Sequence, residues 1–246
     1  MRILVNGAGG RMGKALRTMI AGGCQGAVLA GAVDAYVQED GILPSLNDFT
    51  GTADCIIDFS NHTGTKALLD FAVSRNLPTV IATTGQTEEE IAWIHEAAKS
   101  VAVFYSGNMS LGIALLTQLA KMTANTFPDA DIEIVEQHHN QKLDVPSGTA
   151  LMLGKAVQEA RPDSYLLVGR HENGKRTKSE IGIHSLRMGT TVGIHEVIVN
   201  TGTQIITLKH EAQDRSLFAE GALSAAAFLI GRKSGLYNMQ DIVTQA

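Results

Sequence analysis

Apolar positions in the first hundred residues fall into short unbroken runs, separated by longer stretches with helical spacing. Residues 2–6 (R-I-L-V-N) form one run, which stops at Gly7-Ala8-Gly9-Gly10-Arg11-Met12-Gly13; beyond it Ala15, Leu16, Met19 and Ile20 recur on one helical face. The order predicted is strand, glycine turn, helix. Residues 27–34 form a second run ending in an acid. Residues 53–60 read as a buried strand and 63–74 as its helix, with Ala67, Leu68, Phe71 and Ala72 on one side. A strand at 77–82 follows, then Thr87 and Glu90 at the spacing of a capping box for a helix to Ala98, then a strand at 101–106. Strands alternating with helices predict a parallel sheet whose ligands gather at the carboxyl ends of the strands.

The pattern changes near Gly107. A helix is expected to about residue 126, and 131–135 (D-I-E-I-V) alternates as a half-buried strand does. A helix over 148–160 precedes strands at 180–187, 195–200 and 204–210, the last two joined through Asn200-Thr201-Gly202-Thr203 as a hairpin. This predicts a largely antiparallel sheet. Residues 216–231 make a small-residue apolar helix suited to pack back on the first domain. The expected domains are therefore 1–107 with 216–246, and 108–215.

Composition narrows the class. The chain has 246 residues, 44% of them hydrophobic and 18% charged, which suffices for one large or two modest globular domains. A net charge of -5 without any basic run argues against a nucleic-acid surface. Cys24 and Cys55 lack C-x-x-C spacing, so neither a disulfide framework nor a zinc cluster is expected, and no H-E-x-x-H pattern supports a metal among the histidines. No apolar run reaches membrane length and no leader pattern opens the chain; the cytoplasm is the expected compartment and the N-x-[ST] matches at Asn61 and Asn108 are read as chance.

Two stretches carry chemistry. Gly7, Gly10 and Gly13, with Ala8, Gly9, Arg11 and Met12 between them, suit a turn that holds a pyrophosphate at a helix N-terminus, although Met12 takes the last glycine of a strict G-x-G-x-x-G. Asp34 lies about where a carboxylate reaches the adenosine ribose, and Ala35-Tyr36-Val37-Gln38 brings no cation for a 2′-phosphate. NADH is expected over NADPH. The other strand ends, Phe59-Ser60, Thr83-Thr84-Gly85 and Ser106-Gly107-Asn108, are small or polar, as a bound dinucleotide requires. The second stretch, 136–151, reads E-Q-H-H-N-Q-K-L-D-V-P-S-G-T-A-L. His138 and His139 can exchange protons near neutrality, Lys142 supplies a positive charge, and Ser147, Gly148 and Thr149 open a helix whose N-terminus favours anions. An anionic small molecule that must be protonated fits this segment.

With these residues assembled, the sequence resembles the 4-hydroxy-tetrahydrodipicolinate reductase (dihydrodipicolinate reductase) family along essentially its whole length. The most specific part is E-Q-H-H-N-Q-K-L-D-V-P-S-G-T-A, which resembles the family signature E-x-H-H-x-x-K-x-D-x-P-S-G-T-A. N-G-A-G-G-R-M-G at the start, D-F-S at 58–60, T-T-G at 83–85, N-M-S-L-G at 108–112 and I-G-I-H-S-L-R-M-G at 181–189 are also similar to family motifs. The resemblance implies an α/β protein with a Rossmann-like dinucleotide-binding domain, an α+β substrate domain with an open mixed sheet, and a homotetramer built through those sheets. It implies His138 as proton donor with Lys142 assisting. His139, Lys142, Ser147, Gly148 and Thr149 would surround a dicarboxylate substrate. Gly7, Arg11, Met12 and Asp34 would hold the dinucleotide, with Thr84, Ser106, Gly107, Asn108 and Met109 near the nicotinamide. The segment 35–52 is short for an additional βα unit. The competing readings are another nicotinamide-dependent oxidoreductase acting on an amino acid or semialdehyde, and a non-catalytic dinucleotide sensor.

Overall fold

The computed structural model describes residues 1–245; Ala246, the last residue of the expected first domain, lies outside them. The chain runs β1 (Arg2–Asn6), α1 (Arg11–Ala21), β2 (Val28–Val33), β3 (Cys55–Asp58), α2 (Thr65–Ser74), β4 (Thr79–Ile81), α3 (Glu88–Ala97) and β5 (Ala102–Tyr105). It continues through α4 (Leu111–Thr126), β6 (Asp131–His138), α5 (Gly148–Ala160), β7 (Tyr165–Val168), β8 (Glu180–Arg187), β9 (Gly193–Asn200) and β10 (Ile205–Ala212). It ends with α6 (Ser216–Leu229), β11 (Gly235–Tyr237) and α7 (Met239–Thr244). Contacts divide it into two compact units, Met1–Ser110 with the chain from Arg215 on, and Leu111–Asp214.

The first unit holds an all-parallel sheet in the order β11-β5-β4-β3-β1-β2. Its central strands are buried on both faces, which is why they read as unbroken apolar runs. Leu4, Ile56, Ile81 and Val103 pack under α2 and α3. On the other face α6 lies along β3, β4 and β5, its alanines permitting close approach, and Phe104 meets Phe228 edge-to-face at 6.2 Å. Both side-chain halves of the capping box between Thr87 and Glu90 are made. The chain leaves β1 for β2 on one side and β3 on the other, so the β1 carboxyl end is the topological switch point where ligands bind. The turn there needs glycine. Gly7 has φ +77°, a Cβ on it would lie 2.5 Å from the Phe59 carbonyl oxygen, and a Cβ on Gly13 would lie 2.1 Å from that of Gly7.

The second unit has the strand order β10-β9-β6-β8-β7, with β6 in the middle. It corrects the largely antiparallel expectation drawn from the pattern: β6 pairs with β9 antiparallel but with β8 parallel, and β7 also pairs with β8 parallel. The α5 crossover after β6, and the 169–179 connection between β7 and β8, return the chain for the parallel pairings. One face of the sheet is covered by α4 and α5, where Ile132, Ile134, Ile181, Ile183, Val197 and Val199 meet Ile113, Leu116, Leu153 and Val157. Fully burying one such side chain contributes about 1.5–3 kcal/mol. The pattern missed β7, β11 and α7, and stopped β6 at 135 although it runs to His138. Among the described residues no helix is long and apolar enough to cross a membrane.

Candidate active site

In the first unit, a cavity of about 530 Å³ opens at the β1 switch point, lined among others by Gly7, Gly10, Asp34, Phe59, Ser60 and Asn61. The amides of Gly7 and Ala8 are taken up by the Val33 carbonyl. At the N-terminus of α1 no side chain caps the helix and no acid sits in the first turn, the condition in which its amides and dipole attract an anion. Asp34 faces this turn, accepting Gly9 N–H at 2.9 Å through one oxygen and the Tyr36 and Val37 N–H groups at 2.9 and 3.0 Å through the other. Beneath the cavity Asp58 is buried and accepts from the Asn6 amide (2.7 Å), the Ser60 hydroxyl (2.6 Å) and the Thr83 hydroxyl (2.7 Å). Burial pushes its pKa up against these three bonds.

The remaining expected cofactor residues are distributed unevenly. Arg11, Thr84, Gly85 and Gly107 are exposed, whereas Ala8 and Met109 are buried, so the last two offer backbone rather than side chain. Ser106 and Asn108 shape their own turn, the Ser106 hydroxyl donating to the Asn108 carbonyl and the Asn108 side chain accepting Ser110 N–H.

In the second unit, the core face of β6 changes character along its length. Ile132 and Ile134 give way to Glu136 and His138 on the same face by the period-2 rule. Register brings Ser185 and Arg187 of β8 opposite them on one side and His195 of β9 opposite Glu136 on the other. Glu136 has no exposed surface. It accepts one N–H from Arg187 on each oxygen, both at 2.8 Å, the Ser147 N–H at 3.1 Å, and meets His138 Nδ1 at 2.6 Å. Burial would raise its pKa, but Arg187, His138, the Ser185 hydroxyl and the Ser147 amide outweigh it and hold it at about 2.

His138 is 8% exposed, and burial lowers its pKa against the pull of Glu136. Its ring stands edge-on to that of His195 at 5.2 Å. His195 is pushed down to about 4, first by burial and then by His138. His195 Nε2 lies 3.1 Å from Ser147 Oγ, which also caps α5 by accepting Ala150 N–H. Ser147 is thus turned inward, 2% exposed, while Gly148 and Thr149 remain accessible at the helix start. The segment between β6 and α5 crosses a cis Val145–Pro146 peptide. Lys142 bonds Asp144 at 2.8 Å, and Asp144 also feels the Gly148 N–H; Lys142 first, then that amide among others, hold its carboxyl below the usual range. His139 donates its N–H to the Thr191 carbonyl.

Glu136, Arg187 and His195 are the functional candidates that pattern reasoning passed over. Glu136 and His138 share strand parity, which was a usable signal. Arg187 is 51 residues away and becomes a partner only once the β6–β8 register is known.

The first unit has the architecture of a Rossmann-type dinucleotide-binding reductase. Comparison with known proteins narrows this class. The family described as "Dihydrodipicolinate reductase, N-terminus" matches residues 1–109, and "Dihydrodipicolinate reductase, C-terminus" matches 112–243. The 4-hydroxy-tetrahydrodipicolinate reductase of Caldanaerobacter subterraneus subsp. tengcongensis is 43% identical, over 99% of this chain and 98% of its own. That of Clostridium novyi is 39% identical, over 98% of each. A solved structure, the dipicolinate-bound dihydrodipicolinate reductase from Paenisporosarcina sp. TG-14, shares the fold with a TM-score of 0.82 at 23% identity over 98% of this chain and 99% of that one. The chain belongs to the dihydrodipicolinate reductase family, an oxidoreductase family of diaminopimelate and lysine biosynthesis that uses NAD(P)H.

Proposed function

We propose that this chain catalyses the NAD(P)H-dependent reduction of 4-hydroxy-tetrahydrodipicolinate (dihydrodipicolinate) to tetrahydrodipicolinate. The observation that carries the reading is His138, with Nδ1 bound to a buried carboxylate, in a chain that both halves of the reductase family match end to end. The first unit fits a dinucleotide, since the surfaces of Gly7 and Gly13 are filled by backbone where a Cβ would otherwise stand, and the cavity beside Gly7 is also lined by Asp34. When bound, the dinucleotide supplies a hydride from its nicotinamide. Gly7 to Met12 hold its phosphates at the start of α1. Asp34 takes the ribose hydroxyls and disfavours a 2′-phosphate, so NADH is preferred. Phe59, Ser60, Thr83 to Gly85 and Ser106 to Met109 line the rest.

In the second unit His138 is the proton donor. Reduction of the conjugated cyclic imine leaves an electron pair on the neighbouring ring carbon, which must be protonated. Lys142, His139 and the start of α5 at Gly148 and Thr149 hold the substrate carboxylates. Asp144 supports this assignment, because its own carboxylate rests against Lys142 and the Gly148 amide. Ser147 supports the site from beneath. The second unit also associates with copies of itself through its sheet, giving a tetramer; the half-exposed Ile194 and Ile198 on the sheet face away from α4 and α5 support this.

The test is oxidation of NADH and of NADPH, followed by absorbance, with substrate formed in place from pyruvate and aspartate semialdehyde. Rapid turnover is expected, with the larger kcat/KM for NADH. Nucleotide binding without turnover would favour a reductase of another amino acid or semialdehyde, or a sensor.

A further inference from the structure

Glu136 accepts two N–H groups of Arg187 and the Ser147 N–H and meets His138 Nδ1, with the Ser185 hydroxyl of β8 also against it. Arg187 is fixed in turn, donating also to the carbonyls of Leu186 and Asp144 at 2.7 and 2.8 Å. A carboxylate held by a bidentate guanidinium is ionised and accepts only. The 2.6 Å contact with His138 therefore requires a hydrogen on Nδ1. Neutral His138 is then the Nδ1–H tautomer, and Nε2 is the nitrogen that gains and loses a proton. Glycine at 193 leaves room beside Nε2, where a Cβ would stand 3.0 Å from it.

We propose that Glu136, locked by Arg187, is the positioning residue of the reaction, fixing the His138 tautomer so that Nε2 alone delivers the proton. This rests on His138 being the donor. The step balances as follows: the Nε2–H bond of the imidazolium breaks and its electron pair stays on nitrogen. The proton bonds to the substrate carbon that carries the electron pair left by reduction. His138 is left as the Nδ1–H imidazole and takes its next proton from water at Nε2.

The groups that face His138 come from every neighbouring element. Glu136 lies on β6, Arg187 on β8, His195 on β9 and Lys142 on the segment before α5; behind them Asp144 pairs with Lys142, Ser147 at the α5 cap reaches Glu136 and His195, and His210 on β10 faces His195. Lys142, Arg187 and burial disfavour the imidazolium, and Glu136 is the anion that favours it. His195, held neutral above its lowered pKa, adds no charge there at the pH of the reaction.

The experiment pairs ring-nitrogen NMR of full-length protein labelled in its histidines with the pH dependence of kcat/KM. His138→Gln identifies the His138 signals and tests the donor reading separately. The parent is expected to show Nδ1–H in the neutral form. In Glu136→Gln, and in the double variant with Arg187→Met that leaves no buried cation unpaired, that signature is lost. The alkaline limb, where the donor loses its proton, then moves about 1–3 units to lower pH, the usual size of an opposite-charge effect. Affinity for NADH stays unchanged. An Nε2–H tautomer in the parent overturns the proposal without recourse to a variant, and so does a folded variant with an unmoved limb. Full activity in His138→Gln removes the donor reading instead, while the tautomer result still stands by itself.

Discussion

Two carboxylates, one in each unit, are buried at the end of a central strand, yet they respond to burial in opposite directions. Asp58 is surrounded by neutral donors from Asn6, Ser60 and Thr83, and its pKa rises. Glu136 has a guanidinium and an imidazole among its donors, and its pKa falls to about 2. Neutral hydrogen bonds satisfy an acid without replacing the solvation its charge has lost; a bidentate cation does. Asp58 therefore ties together the strand ends at the cavity by the β1 switch point, whereas Glu136 keeps its charge beside an imidazole.

The largest effect should come from breaking the charged side. Glu136→Gln with Arg187 retained is expected to destabilise the protein by about 3–5 kcal/mol, because it leaves a largely buried cation without its partner. Denaturant unfolding would measure this, and adding Arg187→Met should recover most of the loss. The stabilisation from Glu136 is present above the ordinary glutamate value of 4.5 and is lost as pH falls towards about 2. His138→Gln removes the beneficiary of that charge. It should lower kcat about 10²-fold or more with nearly parental NADH affinity, and steady-state kinetics beside nucleotide titration would show it.

A third carboxylate, Asp34, is held by backbone amides alone and sharpens the contrast. Asp34→Ala should weaken NADH binding by about 1.5–3 kcal/mol, the scale of hydrogen bonds to a charged group, and narrow the gap to NADPH; calorimetric titration with both nucleotides is the check. On the neutral side, Asp58→Asn should change stability by only about 1 kcal/mol. Its sign depends on pH: the raised carboxyl favours the fold below the ordinary aspartate value, and that contribution is lost as pH rises through its folded pKa. Melting curves of parent and variant across pH should therefore diverge in favour of the variant towards neutrality. The smallest change is expected at Asp144, whose pairing with Lys142 would compete with a substrate carboxylate on the proposed reading. Asp144→Asn should lower KM for the imine by about 2- to 5-fold, the range of a surface ion pair.

Local regularities were legible in the chain. The apolar runs of β1, β3 and β5, the glycine turn and the Thr87–Glu90 cap are each specified by residues within a few positions of one another. The elements that were missed lack such signals. β7 is an edge strand without clean alternation, and β11 is three residues whose partner, β5, lies more than a hundred positions earlier. At the candidate site the stretch around His138 was conspicuous, but its electrostatic surroundings include Arg187 and His195, which arrive through register on either side of β6. Ser147 shows the converse. Its neighbours suggest a substrate contact, yet its amide and hydroxyl are directed inward to Glu136, Ala150 and His195.

The central position of β6 also bears on how the site breathes. Glu136 and His138 belong to a strand bonded on both sides, within the five-stranded core of the second unit. The Glu136 backbone amide, in a stretch paired on both sides, exchanges with deuterium only when those ladders part, which is close to unfolding the unit, whereas the exposed segment around Leu143 and Asp144 can open alone. The end of β6 would thus inherit the slow exchange of the core, and the segment before α5 the fast exchange of a loop.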